Sequence, residues 1–416
     1  MIQALFIDST VINKSNVADI NMLIKVLKIF KSQNVCVGIV STNKVDVERA
    51  KTLIPEELID IAISGEEVYG KGSNLIRKFK GGPDRISIPA SKLGIKENRI
   101  LYIGDDKFDY LSAIHSGAFF LFATWTGRKI DSTFTAQTVQ KPEGIWGFSS
   151  HFLMHKPRWA YSLDMPHEKS KLRALMNSNT RGTNSILFVC DPPDNTFRLR
   201  EVLKDHKPIR VANRPAMDVL FWHAIASARL EGLLPPRCLV TVYASSKPGK
   251  VNPTINSFMK VGSKAFGTFF YNDMFVRSVE VRPTHELRLA RIPVDIDHQT
   301  DSVHLNPEYI DKIKGQTIVV FDDFHTSGSS LEWARNLLIS AGAEEVILIA
   351  IGKFGAEQAF HQIRSPNIGV KITPFMHKSY GKSAFSLRSS LMRFDNSVSS
   401  ILQRSFGQLL KGLPYW

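Results

Sequence analysis

Short apolar runs rich in β-branched residues alternate with stretches of helical period along the first third of the chain. Ala4–Ile7, Val35–Val40, Ile59–Ile63 and Ile100–Ile103 have the length and composition of buried parallel strands. Between the first two, Ile20, Leu23, Ile24, Leu27 and Phe30 recur at helical spacing. Strands alternating with helices predict an α/β unit over residues 1–136. From Gln137 to Trp159 the periodicity fades and KPEG and KPRW interrupt it, so 137–160 reads as a linker. Ile186–Val189, Leu239–Tyr243, Ile318–Phe321 and Val346–Ile351 then predict a second α/β unit over 161–382. The tail differs. Leu387, Leu391, Phe394, Val398, Ile401 and Leu402 form one amphipathic stripe beside Arg388, Arg393 and Arg404. That pattern predicts a basic C-terminal helix over 383–416, either docked on the body or presenting a dimer or nucleic-acid surface.

Composition narrows the class. At 416 residues the chain exceeds one ordinary core and suits two domains. With 43% apolar and 22% charged residues it is neither disordered nor membrane-embedded. The longest apolar stretch, Ala118 to Trp125, is far too short to span a bilayer. The start, MIQALFIDST, has no basic region or cleavage site and reads as a first strand rather than a signal peptide. Cys36, Cys190 and Cys238 lie far apart, which excludes a disulfide framework and a cysteine-rich zinc site and predicts a reducing, cytoplasmic setting. The formal net charge is +14, with most of the excess beyond residue 150, as a partner carrying phosphates would favour.

The densest motif is TIVVFDDFHTSGSSLEWARNLLISAG over 317–342. A buried strand ends in two acids and is followed by a hydroxyl- and glycine-rich loop and a helix. A helix N-terminus offers unpaired N–H groups and a positive dipole end to a phosphate. Thr326, Ser327, Ser329 and Ser330 add hydroxyl donors, and Gly328 lets the backbone approach. Asp322 and Asp323 suit two adjacent ribose hydroxyls. This run resembles the phosphoribosyl-pyrophosphate (PRPP) loop of the type I phosphoribosyltransferase family. The resemblance implies that Asp322, Asp323, Thr326, Ser327, Gly328, Ser329 and Ser330 bind PRPP, and that Asp322 and Asp323 serve catalysis. It also implies a pyrophosphate loop after an earlier strand, where Ser245, Ser246, Lys247 and Lys250 are similar in role. Arg277, Arg282, Thr284, His285 and Arg291 would contribute a cover and base pocket.

In the first unit, Asp8 ends the first strand, Ser41 the second, and Gly104-Asp105-Asp106-Lys-Phe-Asp109 the fourth. Strand ends in an open parallel sheet converge on one rim. Asp8, Asp105 and Asp109 would hold Mg²⁺ there, Ser41 a phosphoryl oxygen, and a lysine would balance the charge. The pattern resembles the haloacid dehalogenase-like (HAD) phosphohydrolase superfamily over about residues 1–130. That resemblance implies a nucleophilic Asp8 and assigns the third-motif lysine to Lys80, 24 residues before Gly104. Thr10 stands where the phosphatase branch carries a second, acid–base aspartate, and a threonine cannot shuttle a proton as a carboxylate does.

Together the two resemblances imply two mostly parallel, doubly wound sheets: a HAD-like Rossmannoid domain, then a type I phosphoribosyltransferase domain. The expected activity is PRPP-dependent glycosyl transfer to or from a nitrogen nucleophile with Mg²⁺, fused to a degenerate HAD-like domain. Such fusions are similar to those accessory to bacterial stress-response or phage-defence clusters. The alternative is a PRPP-sensing regulator or effector that binds nucleic acid or a partner protein without turnover, and a third reading is a scaffold in a larger complex with both sites inert. Expected partners are PRPP or a nucleotide-like small molecule, no membrane, and further copies of the chain in a homo-oligomer. Gly65–Ser73 nearly spells a phosphate-binding Walker loop, but Gly72 takes the hydroxyl position. His151 and His155, four apart without a third ligand, read as ordinary histidines.

Overall fold

The computed structural model describes residues 1–130, 134–177, 187–190, 195–198, 210–211, 214–282, 286–287, 290–292, 296–326 and 328–353. It also describes 358–363, 366, 368–369, 382–386, 392–395, 397–398, 400–402 and 404. The first sheet contains β1 (Ala4–Asp8), β2 (Cys36–Ser41), β3 (Ile61–Ser64), β4 (Ile100–Gly104), β5 (Phe119–Ala123) and β6 (Gln137–Val139). Their order is β3-β2-β1-β4-β5-β6 and every pairing is parallel. The expected parallel α/β unit is therefore present, with β1 central.

Chain order continues through β7 (Tyr161–Met165) and β8 (Ser170–Asn177). Two small hairpins follow, β9 (Leu187–Cys190) with β10 (Asn195–Arg198), and β11 (Arg210–Val211) with β12 (Arg214–Pro215). Next come β13 (Leu239–Val242), β14 (Phe269–Tyr271), β15 (Phe275–Arg277), β16 (Val303–Leu305) and β17 (Thr317–His325). The last strands are β18 (Glu345–Lys353), β19 (Ala359–Ile363), β20 (Lys382–Ser386) and β21 (Met392–Phe394). The second sheet runs β14-β13-β17-β18-β8-β7-β21; it is parallel from β14 to β8 and antiparallel at β7 and β21.

Two expectations change. Residues 137–152 are not linker: β6 closes the first sheet, and helix Glu143–Phe152 buries Ile145, Phe148 and Phe152 at spacings of three and four. Pro142 and Gly144 resemble a turn in sequence, yet Pro142 sits at the helix N-cap, where its missing N–H costs nothing. The tail is not one helix from 383. Lys382–Ser386 pairs antiparallel with β19, and Met392–Phe394 pairs with β7. Helical backbone begins at Val398, which is buried with Leu402 one turn on. Residues 387–391 and 405–416 lie outside the described ones. No helix among the described residues is long and apolar enough to cross a membrane.

One hydrophobic cluster runs through both halves, from Ile7 and Ile39 in the first sheet to Val319 and Ile347 in the second. Helix Ala216–Glu231 packs against β8 and β18 and also against helix Glu143–Phe152. Phe119 meets Phe266 edge to face at 5.8 Å, and Phe148 meets Trp222 at 5.7 Å. Asn98 Nδ2 donates to the Arg229 carbonyl at 2.9 Å, and the Tyr110 hydroxyl donates to the Lys264 carbonyl at 2.6 Å. The seam is tight at Gly267, whose φ is +63° and where a Cβ would sit 2.5 Å from Ile114 Cβ. Gly267→Ala should cost about 1–3 kcal/mol through left-handed strain and overpacking. Chemical denaturation of the whole chain would read this as a lowered midpoint.

Candidate functional site

Asp8 ends β1 in extended backbone and serves as N-cap of helix Ser9–Asn13, accepting from the Thr10 N–H at 2.8 Å. β1 and β4 are parallel neighbours, with Ile7 opposite Ile103, so Asp8 and Asp105 leave the sheet side by side. Asp106 caps helix Lys107–Ser116 in a capping box with Asp109. A Cβ on Gly104 would collide with Asp109, which ties the glycine to that carboxylate's position. Asp8, Asp105 and Asp109 are all buried, with ligand oxygens within 4.8 Å of one another.

The counter-charge comes from Arg85 on helix Asp84–Lys92. Its Nη2 pairs with Asp8 Oδ2, and its Nη1 lies 3.0 Å from Asp109 Oδ1, with all three side chains buried. Lys80, the expected cation, is exposed and stacks over the Phe108 ring at 4.7 Å instead. Counting residues back from Gly104 selects Lys80, but the helix whose inner face meets the strand ends starts only at Asp84. A charged residue beside the buried Ile86, Pro89 and Ala90 was the available signal.

Burial pushes Asp109 well above the usual carboxylate range. It also raises Asp8, with Arg85 and Thr10 pulling the other way. Burial alone would lower Arg85, but Tyr102, Asp8 and Asp109 carry it upward. A guanidinium does not give up its proton, so the charged arginine held between carboxylates is the arrangement that the contacts describe.

The carboxylates differ in what they still offer. Asp109 accepts from the Tyr102 hydroxyl and Arg85 on Oδ1, and from the Asp105 and Asp106 N–H groups on Oδ2. Four donors fill the roughly four acceptor positions of a carboxylate, so Asp109 orients the others. Asp8 meets Thr10 on Oδ1 and Arg85 on Oδ2. Asp105 meets Thr10 Oγ1 at 3.0 Å, Lys14 at 3.2 Å and Arg128 at 3.3 Å. Each of these two keeps acceptor capacity, and hard oxygens facing one another fit a divalent cation such as Mg²⁺. Ser41 ends β2 beside them, buried, its Oγ accepting from the Asn43 N–H at 3.3 Å.

The second rim holds the other predicted residues. β13 and β17 are parallel neighbours, so the Ser245–Lys250 loop and the Asp322–Asp323 pair emerge together. The strand runs two residues past the acids, to His325. Gly328, at φ +101°, then opens helix Ser329–Ser340. A Cβ there would collide with Gln358. Ser329 is buried, Thr326 and Ser330 are half-buried, and Ser327 lies outside the described residues. Asp322 is driven well above the usual range by burial and then by the charge of Asp323. Asn252 joins the two parts: its Nδ2 donates to Asp323 Oδ2 at 2.9 Å while its Oδ1 caps helix Pro253–Ala265.

The pyrophosphate loop is internally bonded. Ser245 Oγ donates to the Lys250 carbonyl at 2.8 Å, and the Ser246 carbonyl accepts from Val281 at 3.0 Å. Lys247 pairs with Glu280 at 2.8 Å, and Lys250 is exposed. Arg277 is not a cover residue: it is buried against the Ser245 carbonyl, Ser302 and Gln299. Arg282 pairs with Glu286 at 3.4 Å, Arg291 is exposed, and Thr284 and His285 lie outside the described residues. Lys353, absent from the sequence-based set, is buried at the end of β18 and donates to the Thr326 carbonyl at 2.6 Å.

No protein-family model matches the chain, and no curated protein matches it. Among solved structures, the N-terminal part is similar to HAD-superfamily hydrolases. A HAD-superfamily hydrolase from Ehrlichia chaffeensis is 20% identical, with 30% of this chain and 54% of that one covered and a TM-score of 0.23. A subfamily IA hydrolase from Geobacter sulfurreducens is 11% identical, covering 36% of this chain and 100% of that one at 0.24. A predicted phosphoglycolate phosphatase from Haemophilus somnus is 15% identical, covering 30% and 54% at 0.23. The match spans about half the length of the Ehrlichia and Haemophilus proteins.

Arg85→Met would leave Asp8 and Asp109 buried without their counter-ion, at a cost of about 3–5 kcal/mol near neutral pH. Both acids titrate higher in the folded chain than their ordinary 3.8, so the folded variant takes up protons first on acidification. The deficit in Tm should therefore narrow as pH falls toward that value and widen as pH rises, which a pH series of thermal melts would read.

Proposed function

We propose that the first rim is a Mg²⁺-assisted phosphoryl site of HAD-like hydrolase type. The observation that carries this reading is the facing pair Asp8 and Asp105, each with acceptor capacity left, while Arg85 grips Asp8. Two oxygens on one Mg²⁺ stand about 3–4 Å apart, within the span of this cluster. The ion would lie between Asp8 and Asp105 and would supply charge stabilisation to a phosphoryl oxygen. Asp8 would attack phosphorus through one oxygen of a carboxylate that the Thr10 N–H orients at Oδ1 and Arg85 at Oδ2. Arg85 would also draw off charge from the transition state. Thr10 offers one hydroxyl proton between two carboxylates and no acid of useful strength. Leaving groups that depart as stable anions are therefore favoured over alkoxides.

A second reading concerns the second rim, where the Asp322–Asp323 pair, the Ser245–Lys250 loop and the helix opened by Gly328 share one edge. That convergence supports a sugar-phosphate ligand of the PRPP class. Turnover there would be displacement of pyrophosphate at the ribose anomeric carbon, achieved mainly by positioning. Retention of PRPP without pyrophosphate release would mark a sensor.

Calorimetry separates the two. Mg²⁺ binding by the full chain should be lost in Asp105→Asn, and unchanged affinity would remove the first reading. PRPP with Mg²⁺ should bind the wild type and not the Asp322→Asn, Asp323→Asn double variant. Equal binding by both would remove the second.

A further inference from the structure

The first rim carries two cations that its phosphoryl chemistry leaves unused. Lys14 Nζ lies 3.2 Å from Asp105 Oδ2, and Arg128 Nη1 lies 3.3 Å from Asp105 Oδ1 and 3.2 Å from Asp106 Oδ2. Both side chains are 39% exposed while that of Asp105 is wholly buried, so the pair closes over the carboxylate from the solvent side. They belong to separate loops, one following helix Ser9–Asn13 and the other following β5. Trp125 Nε1 donates to Ser15 Oγ at 2.9 Å and holds those loops together, so the convergence of the two cations is built in.

We propose that Lys14 and Arg128 recognise the second phosphate of a diphosphate whose first phosphoryl group sits at Asp8. The proposal rests on the reading of Asp8 and Asp105 as a Mg²⁺-assisted phosphoryl site. Charge is the first argument. With Asp105 engaged by a divalent cation, its charge no longer balances the Lys14 ammonium, Arg128 keeps only Asp106, and like charges that close repel. Long, half-exposed side chains then turn to an anion on the solvent side. Arg85 is already engaged by Asp8 and Asp109, so Lys14 and Arg128 are the cations that the solvent side of this rim can offer to a further anionic group.

Thr10 supplies the second argument. Breaking an ester needs an acid to protonate the departing alkoxide, and a threonine at position 10 cannot serve as one. A departing phosphate is a far weaker base than an alkoxide and leaves as a stable anion. In the balanced step, an Asp8 oxygen bonds to the terminal phosphorus and the bridging P–O bond breaks. Its electron pair leaves with the second phosphate, which Lys14 and Arg128 hold. Water then cleaves the aspartyl phosphate, restoring the carboxylate and releasing orthophosphate and a proton. Inorganic diphosphate and the diphosphate end of a nucleotide share this chemistry.

The test uses the full chain carrying Lys247→Met and Lys250→Met, so that the second rim contributes little to anion binding. Calorimetry would compare orthophosphate, inorganic diphosphate and ADP, each with Mg²⁺, before and after adding Lys14→Met and Arg128→Met. Diphosphate should bind about tenfold or more tightly than orthophosphate, and that preference should collapse to near unity without the two cations. ADP binding like diphosphate would identify a nucleotide ligand, and diphosphate alone would identify the inorganic ion. Mg²⁺ by itself should bind more tightly once the competing cations are gone, the opposite direction from diphosphate. Thermal melts would confirm that both chains are folded. Equal preference with and without the cations, or no diphosphate binding at all, would overturn the proposal. Mg²⁺ binding that still depends on Asp105 would show the phosphoryl reading surviving that loss.

Discussion

A guanidinium buried between two carboxylates is the constraint from which the first half of the molecule follows. Asp8, Arg85 and Asp109 come from a strand end, one helix and the start of another, and each is buried. A buried charge without its partner costs several kcal/mol, so the three elements must arrive in register or not at all. The remaining polar atoms fall into line behind that requirement. Tyr102 and two backbone N–H groups saturate Asp109, and the capping box at Asp106 fixes the helix that carries it. What is left over, on Asp8 and Asp105, faces the rim. Stability and site geometry are thus one interaction set.

The strand ends were legible in the sequence because a buried parallel strand has few ways to be written. Ala4–Ile7 followed by Asp8, and Ile100–Ile103 followed by Gly104-Asp105, carry both their burial and their chemistry in the same few letters. The same holds for Thr317–Phe321 followed by Asp322-Asp323, although β17 continues to His325 because its pairing with β18 extends to Lys353. The charge-balancing cation was not legible. Between Gly70 and Pro83 the chain has no period to count along, so a spacing rule chose Lys80, whereas packing of helix Asp84–Lys92 chose Arg85. Lys14 and Arg128 were beyond reach for a related reason. Each is an ordinary surface cation in sequence, and each meets Asp105 from a loop that the Trp125–Ser15 hydrogen bond ties to the other.

Tertiary context also overrode local signals at the boundaries. Pro142 and Gly144 spell a turn, yet Ile145, Phe148 and Phe152 had apolar surface to lose and a neighbouring helix to lose it against. The tail's apolar residues fit a helical stripe until partners are supplied. β19 and β7 each offer an open edge, and strand pairing takes Lys382–Ser386 and Met392–Phe394.

The shared core has a further meaning for how this chain can change. Because Phe119, Phe148, Trp222 and Phe266 interlock across the seam, neither sheet owns the apolar surface it buries. A substitution accepted by one half is tested against the shape of the other. Exchanging either unit for a different one would therefore require re-cutting the face between them.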